Sequence, residues 1–378
     1  MTAYFDNSAT TKPCDAAINA AQKAITDYWG NPSSLHEKGL EASDELKKAR
    51  RSVAKLLDVK EDSFFFTSSG TTANNTAIFG VYEKLKRQGN RIVTTALEHP
   101  SVSEPLKRLE ANGIEVIRIM PDKFGKINED EFFSGINENT ILVSCMAVNN
   151  EVGSVLPVNR IRAAVKRANS PAVIHSDCVQ AFSKIPVTPK SLDADIITVS
   201  GHKIHALKGV GGIYLKSNSL VKPYILGGGQ EKGLHSGTEA TPAIFSFGAA
   251  SQEAQNITAN SEYVAKLKKQ FLDGIADIPC VTVNSPEDSI PYIINISILG
   301  LPSQPTVNFM SEKGIYISAG SACKMGHRSP VLTAMGLPPE VIDSAVRISF
   351  SRYNTAEEVD FLIGAVKEAA EKYGKKNK

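Results

Sequence analysis

The sequence predicts an α/β protein, a mainly parallel sheet covered by helices on both faces and joined to a smaller α+β domain. Three observations carry this. Short β-branched apolar runs recur up to about residue 215, with helical segments between many of them. After about residue 240 the texture changes to a long helical stretch and then scattered strand-like runs. The 378 residues also exceed one core of ordinary size.

Taken in order, Asp15 to Trp29 reads as an amphipathic helix entered through Pro13 and stopped at Gly30. Leu40, Leu46, Ala49, Val53, Leu56 and Leu57 mark the buried face of the next helix. Phe64-Phe65-Phe66 then runs into Thr67-Ser68-Ser69-Gly70-Thr71 and a third helix. Strand-like runs follow at 91–94, 116–119, 141–144, 172–175, 195–199 and 212–215, with helices at 101–112 and 158–169. A helical stretch over roughly 242–275 precedes strand-like runs at 292–298, 314–317 and 346–350, and a helix from Thr355 to Tyr373 closes the chain.

The composition is that of a soluble globular protein, 42% hydrophobic and 22% charged. Its 42 basic and 40 acidic residues leave a net charge of +2, which argues against a dedicated nucleic-acid or membrane surface. No apolar run approaches the ~18 residues of a membrane span, and the opening MTAYFDNSATT lacks the apolar core of a secretory segment. The five cysteines, at 14, 145, 178, 280 and 323, are odd in number and form no C-x-x-C. Neither a disulfide framework nor a metal site is expected, and a reducing cytoplasmic setting is.

In open α/β sheets ligands sit at the carboxyl ends of the strands. Glu98-His99, Asn149-Asn150-Glu151, Asp177 with Gln180, and Ser200, His202 and Lys203 all fall there. The Ser-Gly-Thr turn opening a helix suits an anion, although it lacks the Gly-Lys-Ser/Thr ending of a nucleotide loop. Each feature alone has a plain reading: a helix cap, an Asp in a turn, a surface lysine. Together, a phosphate cradle, an amine able to form a Schiff base and an acid for a pyridinium nitrogen are the parts that hold pyridoxal phosphate.

These residues sit in blocks that resemble the cysteine desulfurases, a branch of the class V aminotransferase group with the type I fold of pyridoxal-phosphate transferases. The blocks are Tyr4–Thr11, Gly30–Ser34, Glu98-His99, Val148–Gly153, Asp177 with Gln180, Ser200–Lys203, Gly227–Glu231, Ser236–Thr238 and Ser318–Cys323. The subgroup it most resembles supplies sulfur for iron–sulfur clusters and tRNA thiolation. The resemblance implies a large cofactor domain over 13–247, and a small domain from 1–12 and 248–378 that carries the nucleophile loop. It also implies a homodimer.

By the same resemblance Lys203 is the Schiff-base lysine, Asp177 pairs with the pyridine nitrogen, and His99 stacks on the ring and moves protons. Gln180 and Asn150 contact the ring oxygen and substrate. Gly70, Thr71, Ser200 and His202 hold the phosphate, with Thr238 from the other subunit, and Arg347 clamps the substrate carboxylate. The implied reaction turns L-cysteine into L-alanine: Lys203 takes the Cα proton and Cys323 receives the sulfur as a persulfide, for an acceptor protein. Around Cys323 the segment Lys324–Pro330 is shorter than usual in the family, and Lys232 and His235 stand where Arg is usual. A selenocysteine lyase or a class V aminotransferase is the alternative on the same scaffold, and a non-catalytic sulfur-relay or scaffold protein is the alternative of another class. Cys145 and Cys178 read as structural, and the glycines at 209–212 as the geometry of a strand's start. No role is assigned to His175 or His205.

Overall fold

Every residue of five short apolar runs is buried, which places those runs inside a sheet covered on both sides. The computed structural model describes residues 1–319 and 328–375. Its strands are β1 (Ala3–Tyr4), β2 (Phe64–Thr67), β3 (Arg91–Thr95), β4 (Glu115–Ile119), β5 (Thr140–Ser144), β6 (Val173–Asp177), β7 (Ile196–Ser200), β8 (Gly211–Leu215), β9 (Val281–Val283), β10 (Ile293–Ile298), β11 (Ile315–Tyr316) and β12 (Ala345–Ser349).

The main sheet has the order β2-β8-β7-β6-β5-β3-β4. Pairing is parallel from β4 through β7, and β8 runs antiparallel to both of its neighbours. The reversal at β8 has a simple cause. Only residues 201–210 separate it from β7, too short a connection for a parallel crossover. Strand alternation divides the core between the two faces: Phe64, Phe66, Val93, Val143, Ile174 and Ile197 belong to one cluster, and Phe65, Ile92, Leu142, Val173 and Ile196 to the other.

Several expected boundaries move. The first helix is Asp15–Thr26, and Trp29 is exposed beyond it. The second is Glu37–Leu56; Gly39, Ala42, Leu46, Ala49 and Val53 form its buried stripe, and Leu40 lies off that stripe, 54% exposed. This helix approaches Thr241–Glu253 so closely that a Cβ at Gly248 would lie 2.6 Å from Ala49 Cα. The 242–275 stretch is two helices, Thr241–Glu253 and Ile257–Ile275. The 158–169 stretch is a 3-10 turn, Val158–Arg160, leading into the helix Ile161–Arg167.

Toward the C-terminus, β12, β10 and β9 form an antiparallel sheet, in which β9 had no clear sequence signal. The N-terminal segment pairs in parallel with β11 and bridges Ser349 through Asp6. The final helix, Ala356–Tyr373, starts from a Thr355 capping box closed by Glu358.

Candidate active site

Asp177 closes β6 and is buried. Its Oδ1 accepts from the Val179 backbone N–H at 2.9 Å, and its Oδ2 from Asn74 Nδ2 at 2.7 Å. Lys203 ends the tight turn Gly201–Lys203 that follows β7. Its Nζ donates to the carbonyl of Ser8 and, at 2.8 Å, to that of Ala9. The N-terminal segment therefore lies against the lysine, fixed by Thr11, whose N–H and Oγ1 donate to the His202 carbonyl at 2.9 and 3.0 Å.

His99 follows β3 and caps the helix Pro100–Glu110. Its Nδ1 accepts from the Ser101 N–H at 3.1 Å and lies 2.8 Å from Ser101 Oγ. A ring nitrogen that accepts leaves the proton of a neutral imidazole on Nε2. Burial, helped by Lys203 and opposed by Asp177, pushes His99 below its usual value, so the neutral ring is favoured. His202, 3.2 Å from Thr10 Oγ1, is pushed down to about 4 by burial and then by Lys203.

The helix Gly70–Leu85 aims its N-terminus at the same rim, with Ser69 Oγ accepting from the Thr72 N–H at 3.1 Å. A Cβ at Gly70 would stand 3.0 Å from Val179 Cγ2 and 3.1 Å from Ser200 Cβ, filling the space there. The buried Ser200 hydroxyl has no hydrogen-bond partner among the described residues. An orphaned donor beside a helix N-terminus suits an anion. Gly211 shows why a glycine starts β8: its Cβ would come 2.4 Å from the Ser69 carbonyl carbon. That run is both a strand's start and a close approach of backbone to the cradle.

Gln180 donates through Nε2 to the Ser8 carbonyl at 2.9 Å, the acceptor that Lys203 also uses, and its Oε1 accepts from Lys184 Nζ at 2.7 Å. Arg347, on β12, donates to the Asn150 carbonyl at 3.0 Å and to Asp6 Oδ1 at 2.8 Å, while its Nε is buried without a partner among the described residues. Thr238 is exposed, and no hydrogen bond joins it to this group among the described residues. Cys323 lies outside the described residues. The chain on either side of residues 320–327 is anchored nearby: Ser318 exchanges backbone hydrogen bonds with Arg347 at 2.7 and 3.1 Å, and Ser329 Oγ donates to Glu151 Oε2 at 2.5 Å.

Sequence reasoning missed four residues at or near this rim. Asn74 bonds Asp177, Lys184 backs Gln180, and Asp6 pairs with Arg347. Glu231 receives both terminal nitrogens of Arg50 at 2.6 and 2.7 Å and the Phe66 N–H at 2.8 Å. The block around Lys232 is thus tied to the cradle strand by its neighbour, while Lys232 itself pairs with exposed Asp62 at 2.6 Å. Asp6 and Glu231 fell within the motif blocks, but periodicity gives no hint of a partner so distant in sequence.

An amine, a buried carboxylate, an imidazole and a helix N-terminus gather at one sheet rim, a set of groups that suits a pyridoxal-phosphate-like cofactor. The sequence matches the family described as Aminotransferase class-V over residues 3–362. It is 34% identical to the cysteine desulfurase IscS of Methanosarcina thermophila, over 98% of this chain and 92% of that one. It is 37% identical to a NifS/IcsS protein homolog of Lactobacillus delbrueckii subsp. bulgaricus, over 99% and 98%. A solved NifS-like protein, 34% identical, superposes with a TM-score of 0.92 over 98% of this chain and 100% of that one. The chain belongs to the cysteine desulfurases of the class V aminotransferase family.

Proposed function

We propose that the chain converts L-cysteine to L-alanine and sets the released sulfur on Cys323 as a persulfide, for delivery to an acceptor protein. The observation that carries this is the placement of Asp177 at the end of β6 and of Lys203 just past the end of the adjacent β7, beside the Gly70–Ser200 cradle. Pyridoxal phosphate, when bound there, supplies an electron sink for the carbanion formed at Cα. Gly70, Thr71, Ser200 and His202 would hold its phosphate, Asp177 its ring nitrogen, His99 its face and Gln180 its ring oxygen. Lys203 would hold it covalently and move the Cα proton. Arg347 and Asn150 orient the substrate, a planar guanidinium being matched to a carboxylate. The Cys323 thiolate then takes the substrate's sulfur: the carbon–sulfur bond breaks, a sulfur–sulfur bond forms, and alanine leaves.

A homodimer completes the site, with Thr238 reaching the phosphate of the other subunit. The exposure of Thr238, and of Leu35 and Leu226 at 91% and 80%, supports a surface that a second copy covers. Among the described residues no helix is long and apolar enough to cross a membrane. Cys14, Cys145, Cys178 and Cys280 are all free thiols, which supports a reducing, cytoplasmic setting. A single-turnover assay with L-cysteine tests the reading by detecting protein-bound persulfide and alanine together in the wild type and Cys323→Ser. Both products in the wild type, with persulfide lost in the variant, are expected. Transamination that survives the substitution would overturn the assignment of Cys323.

A further inference from the structure

The neighbourhood of Asp177 and His99 contains more than the two residues assigned there. Asn74 is fully buried on the helix Gly70–Leu85, and its Nδ2 donates to Asp177 Oδ2 at 2.7 Å and to Ser101 Oγ at 2.8 Å. Its Oδ1 accepts from Thr198 Oγ1 at 2.5 Å. Behind Thr198, His175 Nε2 lies 3.2 Å from that hydroxyl, and His175 Nδ1 lies 2.9 Å from Ser144 Oγ.

The direction of each hydrogen bond follows from donor arithmetic. Asp177 Oδ1 accepts the Val179 N–H, and Oδ2 of a carboxylate can only accept, so the Asn74 atom facing it is the NH2. The other end agrees independently. His99 Nδ1 accepts the Ser101 N–H, so the Ser101 hydroxyl also donates to it, and Ser101 Oγ must accept from Asn74. With its NH2 spent, Asn74 offers only Oδ1 to Thr198, whose single proton goes there. Thr198 must then accept from His175, which carries its proton on Nε2 and accepts from Ser144. Burial pushes His175 down to about 3, consistent with this neutral, singly protonated ring. One-way donation thus runs from Ser144 through His175 and Thr198 to Asn74, where it splits to Asp177 and, through Ser101, to His99.

We propose that Asn74, oriented by Thr198 and His175, is the positioning residue that couples Asp177 to His99, fixing the first as an acceptor carboxylate and the second with its proton on Nε2. This rests on the reading of Asp177 and His99 as cofactor residues. A single buried amide then sets both the group that meets the ring nitrogen and the group that covers the ring. Among the described residues Asp177 acts electrostatically on His99, Glu98 and Cys178, and Lys203 acts on His99.

The test titrates full-length apoprotein with pyridoxal phosphate across pH for wild type, Asn74→Leu, Thr198→Val and the double variant, with Lys203→Ala as control. Asn74→Leu should weaken cofactor affinity about tenfold or more, the scale of a hydrogen bond to a charged group. The acid limb of the affinity profile should also differ from wild type, because the buried Asp177 loses one of its two N–H donors. Thr198→Val should weaken affinity about threefold alone and add nothing to Asn74→Leu, as expected of residues acting through one another. Wild-type affinity and pH limb in Asn74→Leu, or strictly additive effects, overturn the proposal. Should Asn74→Leu not fold, a wild-type profile in the milder Thr198→Val would do the same. A Lys203→Ala protein that keeps the lysine-bound absorbance of the wild type would instead sink the site reading itself, and this proposal with it.

Discussion

Arg347 and Asp6, 341 residues apart in sequence, meet in an ion pair of 2.8 Å that ties the N-terminal segment to β12. The guanidinium is almost fully buried, while the Asp6 side chain keeps about a quarter of its exposure. A buried cation with one carboxylate partner is costly to strip of it. Asp6→Asn is expected to lower stability by about 1–3 kcal/mol, a value discounted for the partial exposure of Asp6. Arg347→Lys keeps the charge but not the planar fork, and should raise KM for cysteine about tenfold or more. Thermal melting and steady-state kinetics on the two variants separate these effects, and an unchanged KM in Arg347→Lys would remove Arg347 from substrate binding.

Gly70→Ala tests the cradle directly. The added methyl meets Val179 Cγ2 at 3.0 Å and Ser200 Cβ at 3.1 Å, tight contacts that side chains can relieve by small shifts. The fold should survive, since alanine is the better helix former. Cofactor affinity, read by titrating apoprotein with pyridoxal phosphate, should fall about tenfold. Equal affinity would mean that the phosphate sits elsewhere.

Much of this was legible in the chain, for local reasons. The strands of the main sheet showed because each is an apolar β-branched or aromatic run between turn residues, and several candidate site residues stood out because they follow those runs directly, whereas Arg347, Thr238 and Cys323 entered only through the resemblance. Lys203 and Asp177 could be found that way. Asn74 could not: inside Thr72-Ala73-Asn74-Asn75 it looks like any polar helical residue, and only the parallel pairing of β6 with β7 puts Thr198 and Asp177 beside it. Leu40 misled because a leucine at roughly helical spacing was read as core, whereas small residues set the helix contact. The direction of β8 depended on connection length rather than on its residues.

Lys184 is buried behind Gln180, with the Tyr292 ring 5.9 Å from its ammonium. Burial, with Lys203 and Arg347 nearby, pushes it down to about 7 from 10.5. The unfolded chain therefore binds the proton more tightly than the folded one. The resulting penalty is complete below about pH 7 and is relieved as pH rises toward 10.5. Lys184→Met should remove the penalty and melt higher than wild type at pH 6, with the gap closing by pH 10. The same variant loses the donor that orients Gln180 and should bind cofactor more weakly. A wild-type melting profile across that range would show that the lysine is not desolvated as described.

Glu98 gives the opposite slope. It lies beneath the site with Oε1 accepting from the Met146 N–H at 2.8 Å and from Thr95 Oγ1 at 2.9 Å, while Oε2 is buried without a partner among the described residues. Burial, reinforced by Asp177 and only partly offset by these donors, pushes its carboxyl up to about 8 from 4.5. Here the folded protein holds the proton more tightly. Stability from this group is full below pH 4.5 and drains away as pH rises to about 8. Glu98→Gln keeps an acceptor for Met146 and Thr95 and cannot ionise. Its melting temperature relative to wild type should therefore climb between pH 5 and 8, by an amount corresponding to a few kcal/mol. Below pH 5 the difference should vanish or reverse, because the amide places an NH2 where the orphaned oxygen stood. A constant difference across the range would mean that Glu98 is already ionised in the fold, charged within reach of Asp177, and the proton balance of the rim would have to be redrawn from that pair outward.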